Sequence, residues 1–436
     1  MVNFPFGQYL NAIEETDPLR QHGRVTQVVG LLIEATGPQM PVGEVCHVKT
    51  QTNLVPCEVV GFRRGSVLLM PLIHLEGVRQ GSEVIPVGAP LTAPVGDELK
   101  GRLLDGLGNP ADERGELPAS VKRVSIYRDP PNPFARKRIT GILSTGVKVL
   151  DGMLTIAPGQ RLGIFAGSGV GKSTLLGMIA RTSTADVNVI GLVGERGREV
   201  REFIEKDLGP EGLRRSVVVV ATSDRPALLR VKAAFTATAI AEYFRDQGKN
   251  VMLMMDSVTR FAMAQREIGL AVGEPPTTRG YTPSVFSMLP KLLERAGTAR
   301  QGSITAIYSV LVEGGDMDEP IADAVRGILD GHLVLSRQMA EQNLYPAIDI
   351  LGSISRLMND VASKRHLEVA ARVRDLYSTY TQSADLINIG AYKQGSNPKI
   401  DESIAKLPRI QNFIRQGIHD SVPFEETLKQ LEAIIQ

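Results

Sequence analysis

The sequence is short of several things, and each shortage narrows what the protein can be. It has no excess of charge of either sign: 49 Lys and Arg against 48 Asp and Glu leave a formal net charge of +1. That balance gives no global pull toward nucleic acid or anionic lipid, and leaves only local patches open. It has two cysteines, Cys46 and Cys57. No His-x-x-x-His partner follows them, so they read as buried thiols in a reducing compartment and not as a zinc site. No apolar run approaches the roughly 18–20 residues that span a bilayer. The opening MVNFPFGQYLNAIEETD has neither a basic start nor a long apolar core, so no signal peptide is expected there. Long internal repeats and low-complexity tracts are missing as well. The expectation is a cytoplasmic chain whose contact with a membrane, if it has one, is peripheral.

What is present is enough apolar material for a large core. The 436 residues are 43% hydrophobic, which suits two to four packed domains and excludes wholesale disorder. Residues 23 to about 92 read as all-β. GRVTQVVGLLIEATG, VPCEVVGF, GSVLLMPL and SEVIPVG are short Val-, Ile- and Leu-rich runs punctuated by Gly or Pro. Their regular spacing suggests a small barrel or sandwich, assigned to residues 23–95. In YRDPPNPFARKRI, Pro130, Pro131 and Pro133 exclude a regular element, and Arg136-Lys137-Arg138 reads as a solvated loop.

From about residue 150 the texture changes. RLGIFAG, VNVIGLVG, SVVVVATS, VMLMMDS and SITAIYSVLV are nearly continuous apolar runs, as expected for parallel strands covered on both faces. RPALLRVKAAFTATAIAEYFRDQG reads as a helix with Pro226 at its start and Gly248 just past its end. The fold class is therefore α/β, with a layered core over residues 96–360. From about 361 the strands stop. KRHLEVAARVRDLYSTY sets Leu367, Ala370, Val373, Leu376, Tyr377 and Tyr380 at helical spacing, so residues 361–436 read as a helical domain.

The motif that carries chemistry is Ala166-Gly167-Ser168-Gly169-Val170-Gly171-Lys172-Ser173, followed by Thr174. It fits the phosphate-binding loop, except that Ala166 stands where the strict pattern has Gly. The glycines let backbone N–H groups turn inward around phosphate oxygens. Lys172 supplies a point charge for the β- and γ-phosphates, and the Ser173 hydroxyl is a ligand for Mg²⁺. The ligand expected is ATP. VMLMMD ends in Asp256, the form of a Walker B strand and a second magnesium anchor, but Ser257 follows it, so a base must come from elsewhere. In GLVGERGREV, Glu195 at the end of the next strand is preferred over Glu199. Cationic help for the transferring phosphoryl group can come from Arg196, Arg260 or Arg356. On residues alone, each of the three is more often a surface ion pair than a catalytic group.

Longer blocks carry a resemblance. GERGREV, DSVTRFAMAQREIGLAVGEPPTTRGYTPSVFSMLPKLLERAG, DEPIADAVRGILDGHLVLSR and YPAIDILGSISR resemble the catalytic subunits of rotary ATP synthases. Together with IGAYKQGSNPKIDESI they are more similar to the type III protein-export ATPases, the flagellar ones above all. The resemblance runs from about Arg24 to the C-terminus. It implies an N-terminal β-barrel, a RecA-like nucleotide-binding domain, a C-terminal helical domain, and a homohexameric ring with nucleotide between neighbours. It implies that Glu195 activates water, that Asp256 holds the Mg²⁺ shell and that Arg196 and Arg260 lie near the γ-phosphate. It also implies that Tyr345 stacks on adenine and that Arg356 is a finger reaching the adjacent subunit. Gly315 departs from relatives that carry an acidic residue there, which puts a secondary polar contact in doubt.

The resemblance also implies partners. A coiled-coil stalk would insert in a pore lined by Gly273–Tyr281, and export chaperones with their substrates would dock on the ring. Residues 1–22 would bind a dimeric, stator-like regulator that links the ATPase to the export gate at the membrane. Phe6, Tyr9, Leu10 and Ile13 would fall on one face of a helix over residues 5–15. Three rivals share parts of this pattern. The ATP synthase catalytic chain carries an acidic stretch where this one reads SIAKLPRIQNFIRQG. A ring-shaped RNA translocase would need aromatic platforms, and residues 23–92 hold one aromatic, Phe62, so no nucleic-acid partner is expected. The non-flagellar secretion ATPase is the rival hardest to separate.

Overall fold

The computed structural model describes residues 21–436; the segment 1–20, with the expected regulator-binding face, lies outside the described residues. The chain divides into two compact units, Met1–Leu91 and Thr92–Gln436.

In the first unit β1 (Gly23–Val29), β2 (Leu32–Thr36), β3 (Glu44–Lys49), β4 (Leu54–Arg63), β5 (Ser66–Pro71) and β6 (Glu83–Pro90) close a barrel in the order β1-β2-β5-β4-β3-β6. Closure pairs every strand on both sides, so no edge is left open. Val25, Ile33, Ala35, Val48, Val59 and Leu69 fill the inside. The sequence reading missed β3, because EVCHVK interrupts its apolar residues with His47 and ends on Lys49. Cys46 and Cys57 face each other across β3 and β4, both fully buried and unbonded. Burial pushes the Cys46 thiol up to about 12. Both are therefore inert core residues.

The second unit begins with β7 (Thr92–Val95), which pairs with β9 (Lys122–Ser125). That pairing moves the boundary between the units to 91/92, upstream of the 95/96 expected from sequence. The main sheet is built from β8 (Leu103–Asp105), β10 (Arg161–Ala166), β11 (Val187–Val193), β12 (Ser216–Ala221), β13 (Asn250–Asp256), β15 (Ser303–Leu311), β16 (Gly331–Leu335) and β17 (Ile348–Ser355). Its order is β17-β16-β10-β15-β13-β11-β12-β8, with the two-residue β14 (Gly297–Thr298) beside β15. All neighbours from β16 to β8 are parallel; β17 alone is antiparallel to its neighbour in that path. Parallel strands need crossovers, and these are supplied by α2 (Lys172–Thr182), α3 (Ala227–Asp246), α4 (Val258–Val272) and shorter helices. Pro226 is the N-cap of α3, and Gly248 follows its end at φ +82°.

Helix α1 (Lys148–Met153) precedes β10 and receives the C-terminal helices α5 (Lys364–Asn388), α6 (Pro398–Ile414) and α7 (Phe424–Ile435). His366 bonds the Gly152 carbonyl at 2.7 Å, and Gln416 Oε1 accepts from the Lys148 N–H at 2.8 Å. The helical region is therefore packed into the same compact unit as the sheet. Asp151 is fully buried and accepts from Ser144 Oγ, Thr145 N, Thr145 Oγ1 and Gly146 N, which fixes the turn before α1. Arg136, expected in a solvated loop, is instead a half-buried staple that donates to the carbonyls of Glu294 and Ala296. Among the described residues no helix is long and apolar enough to cross a membrane.

The largest fully buried side chain is Arg295. It donates two bonds to Glu242 of α3, at 2.9 and 2.6 Å, and one to the Ile126 carbonyl at 2.7 Å. Removing one member of such a pair strands the other's charge in the core. Arg295→Met should therefore cost about 3–5 kcal/mol of stability, and Arg295→Met with Glu242→Leu should recover most of it. Denaturant melts of the two variants check this.

Candidate active site

Strands β10, β15, β13 and β11 are consecutive in the sheet and parallel, so their carboxyl ends share one edge. Each end delivers one part of the site. β10 ends at Ala166 and turns through Gly167–Gly171 into α2, which starts at Lys172. Gly169 and Gly171 take φ of +80° and +90°, values a side chain resists. The space beside Gly169 is open, with no atom within 4 Å of where a Cβ would sit. The free N–H groups at the start of α2 point at the same place. A cavity of about 550 Å³ opens here.

The cavity wall brings together Ala166, Gly167, Ser168, Gly169, Gly171, Lys172, Ser173 and Thr174 with Glu195, Arg196 and Arg260. Val170 is the loop residue left out: its side chain belongs to the core cluster and is 3% exposed. Asp256, at the end of β13, lies behind the wall. Its Oδ1 accepts from Lys172 Nζ and, at 2.6 Å, from Ser309 Oγ. Lys172 Nζ is also 3.9 Å from Glu195 Oε1, and Arg260 Nε donates to the same oxygen at 3.2 Å.

Of the two carboxylates weighed from sequence, Glu195 is the buried one. Burial, and then the charge of Asp256, raise its pKa to about 7, against the pull of Lys172 and Arg260. Glu199 stands at the rim with its side chain 44% exposed. Its pKa is lowered by a hydrogen bond with Glu195 and by the nearby Arg196. Arg196 is mostly exposed and 3.4 Å from Glu199.

Two further expected site residues, besides Val170 and Asp256, lie outside the cavity wall. Tyr345 rests against the loop, where a Cβ on Gly171 would meet its ring at 3.5 Å. Arg356 follows β17, exposed, and its N–H bonds the carbonyl of Asp330, whose own N–H bonds Arg161. Arg161 begins β10 and Ala166 ends it. Arg356 is thus at the opposite end of the sheet from the loop, about 16 Å away along the strand.

Sequence reasoning missed Ser309 and Glu313, the first bonded to Asp256 and the second part of the wall. SITAIYSVLV was legible as a strand, but nothing in it says that the strand lies between β10 and β13. Gly314 and Gly315 take φ of +65° and +78°. An acidic side chain at 315 would be strained in this turn.

A parallel sheet with a phosphate loop at its carboxyl edge and a buried acid beside it defines a RecA-like P-loop ATPase. Three family models match: the β-barrel domain of the ATP synthase alpha/beta family over residues 25–88, its nucleotide-binding domain over 146–355, and the T3SS EscN ATPase C-terminal domain over 362–433. The chain is 55% identical to a flagellum-specific ATP synthase of Bacillus subtilis, over 98% of each chain. It is 52% identical to a type 3 secretion system ATPase of Xanthomonas euvesicatoria, over 95% of this chain and 94% of that one. The structure of the assembled ATPase EscN from enteropathogenic E. coli superposes with a TM-score of 0.90 at 48% identity, covering 95% of this chain and all of that one. EscN in complex with its central stalk EscO gives 0.88. The chain belongs to the ATP synthase alpha/beta family. Within it, the chain is an ATP-hydrolysing enzyme of the type III protein-export branch.

Because the folded pKa of Glu195 lies above its ordinary 4.5, the folded state holds more protons than the unfolded one between about 4.5 and 7. The stability this group contributes is lost as pH rises through that window. Glu195→Gln should match the wild type in Tm at pH 4.5 and exceed it at pH 8. A gap that closes with rising pH would show that the buried acid is not where the proton sits.

Proposed function

We propose that the protein is the ATPase of a flagellar export apparatus, working as a homohexameric ring in which each pocket is completed by the next subunit. The observation that carries the ring is the separation of Arg356 from the pocket on its own chain. An arginine whose backbone sits at the opposite end of the sheet, about 16 Å along the strand, does not reach the loop of its own chain, yet a neighbouring copy can present it. The flagellar assignment is supported by identities of 55% and 53% to flagellum-specific ATP synthases of Bacillus subtilis and Treponema pallidum.

In this reading Gly167–Gly171 and the N-terminus of α2 bind the phosphates, and Lys172 moves from Asp256 toward the β- and γ-oxygens. Ser173 and Asp256 would hold Mg²⁺, which neutralises charge on the phosphates. The donor set fits that ion. Among the described residues no group of three His, Cys, Asp or Glu side chains forms a cage, and magnesium with nucleotide uses one or two protein ligands and the phosphates themselves. Glu195 takes the proton of the attacking water; its raised pKa suits a base working near neutral pH. Arg260 steers Glu195, Arg196 approaches from the rim, and Tyr345 faces the adenine. Arg356 of the adjacent subunit stabilises the transferring phosphoryl group. A coiled-coil stalk in the pore is supported by the EscN–EscO complex. The regulator at residues 1–22, the chaperone–substrate complexes, the export gate and the peripheral place at the cytoplasmic face of the membrane follow from the family resemblance.

Glu195→Gln should bind ATP as the wild type does and lose about 10²–10⁴ in turnover. Full turnover in that variant would remove Glu195 from the role. Lys172→Ala and Arg356→Ala should each be inactive. Assembled together they should regain about a quarter of the wild-type rate per chain, because half of the intact pockets then meet an intact finger. A mixture no more active than its parts would end the shared-site reading. Loss of filaments on gene deletion, with effector secretion intact, separates the flagellar role from the injectisome one.

A further inference from the structure

The linker between the C-terminal helices reaches toward the nucleotide site at Gln416. Gln416 lies in the linker between α6 and α7 and is 8% exposed. Its amide is fully used. Nε2 donates to the Gly146 carbonyl at 2.7 Å and to the Asp420 carbonyl at 3.0 Å. Oε1 accepts from Lys148 N, the first N–H of α1, whose own N-cap residue makes no side-chain bond. Gln416 therefore caps α1 from more than 260 residues away in sequence. The turn it grips is rigid, because Gly146 N also donates to buried Asp151.

The backbone of the same residue points the other way. Gln416 N donates to the carbonyl of Tyr345 at 3.0 Å. The Tyr345 ring in turn lies beside Gly171 of the phosphate loop. Two further bonds fasten the linker to the loop's helix and its approach: Arg181, in the last turn of α2, donates to the Ile418 carbonyl at 2.6 Å, and Val422 N bonds Gly146. The linker thus spans from Tyr345, beside the phosphate loop, to both ends of the segment that carries the loop.

We propose that Gln416 is a positioning residue for the nucleotide base: by fixing the linker to the start of α1 it holds the Tyr345 peptide at a fixed distance from the phosphate loop. This rests on the reading of Tyr345 as the residue that faces adenine. The side chain touches no nucleotide. It acts by immobilising the linker whose N–H holds Tyr345. Loss of the side-chain bonds would loosen the Tyr345 peptide, while the Arg181–Ile418 and Val422–Gly146 bonds still fasten the linker to the loop's segment.

The test uses the full chain and two ligands, ATP and inorganic tripolyphosphate, which has the phosphates and no base. Gln416→Met keeps the volume and removes the three bonds; Gln416→Ala removes the volume as well. Titration calorimetry of either variant should show ATP weakened about three- to tenfold, part of one aromatic–base contact, with tripolyphosphate within about twofold of wild type. Tyr345→Ala should weaken ATP selectively too, and Gln416→Met should add nothing in that background. Equal loss on both ligands would mean general damage to the pocket and would overturn the proposal, as would no loss on either. If Tyr345→Ala itself spares ATP, the adenine reading fails and the proposal with it. If Tyr345→Ala weakens ATP and Gln416→Met does not, the adenine reading stands and the strut alone is refuted.

Discussion

The ammonium of Lys172 stands between the carboxylates of Asp256 and Glu195, where little water reaches. Three charges so placed tolerate little error, because a low local dielectric magnifies both their attraction and their repulsion. Burial, and then the charge of Asp256, raise the pKa of Glu195 although Lys172 and Arg260 both pull it down. Each of the three comes from a different strand end or loop, so the register of the whole sheet fixes their separation. A slip of one residue in β13 would turn Asp256 to the other face. The long apolar runs of the strands serve this purpose as much as they serve stability.

The supports of that cluster lie far from it in sequence. Asp151 organises the turn before α1 and Gln416 caps the helix that follows it, while Arg295 and Glu242 tie α3 to the segment before β14. These are buried polar contacts with every strong donor met, the kind that select one arrangement over near alternatives. None touches the cavity. Gln416, with the bond of His366 to Gly152, joins the C-terminal helices, which look like a separate domain in composition, to the compact unit of the sheet.

Much of this was legible in the sequence, for identifiable reasons. The phosphate loop was, because glycine spacing with Lys172 and Ser173 states a backbone shape directly. Asp256 and Glu195 were, because each closes an apolar run. Helix α3 was bounded correctly by Pro226 and Gly248. What stayed hidden depends on spatial neighbours. β3 is broken by polar residues that face outward from the barrel, and Ser309 becomes meaningful only once β15 lies between β10 and β13. Arg136 looked like a solvated cation until the carbonyls of Glu294 and Ala296, over 150 residues later, came to meet it. Gln416 gave no signal at all, since a glutamine in a linker has no pattern to break.

The position of Arg356 has a consequence for symmetry. A chain with a pocket at one end of its sheet and an exposed arginine at the other is like a tile with a socket and a lug. A contact that seats lug in socket joins two different surfaces, so it is heterologous, and repetition gives a ring or an open filament according to the rotation at each step. A two-fold pair could satisfy the same chains only by seating both lugs at once. If Arg356 serves a neighbour, the angle between successive chains decides whether the last subunit finds a finger, and that angle is set by surfaces remote from the chemistry.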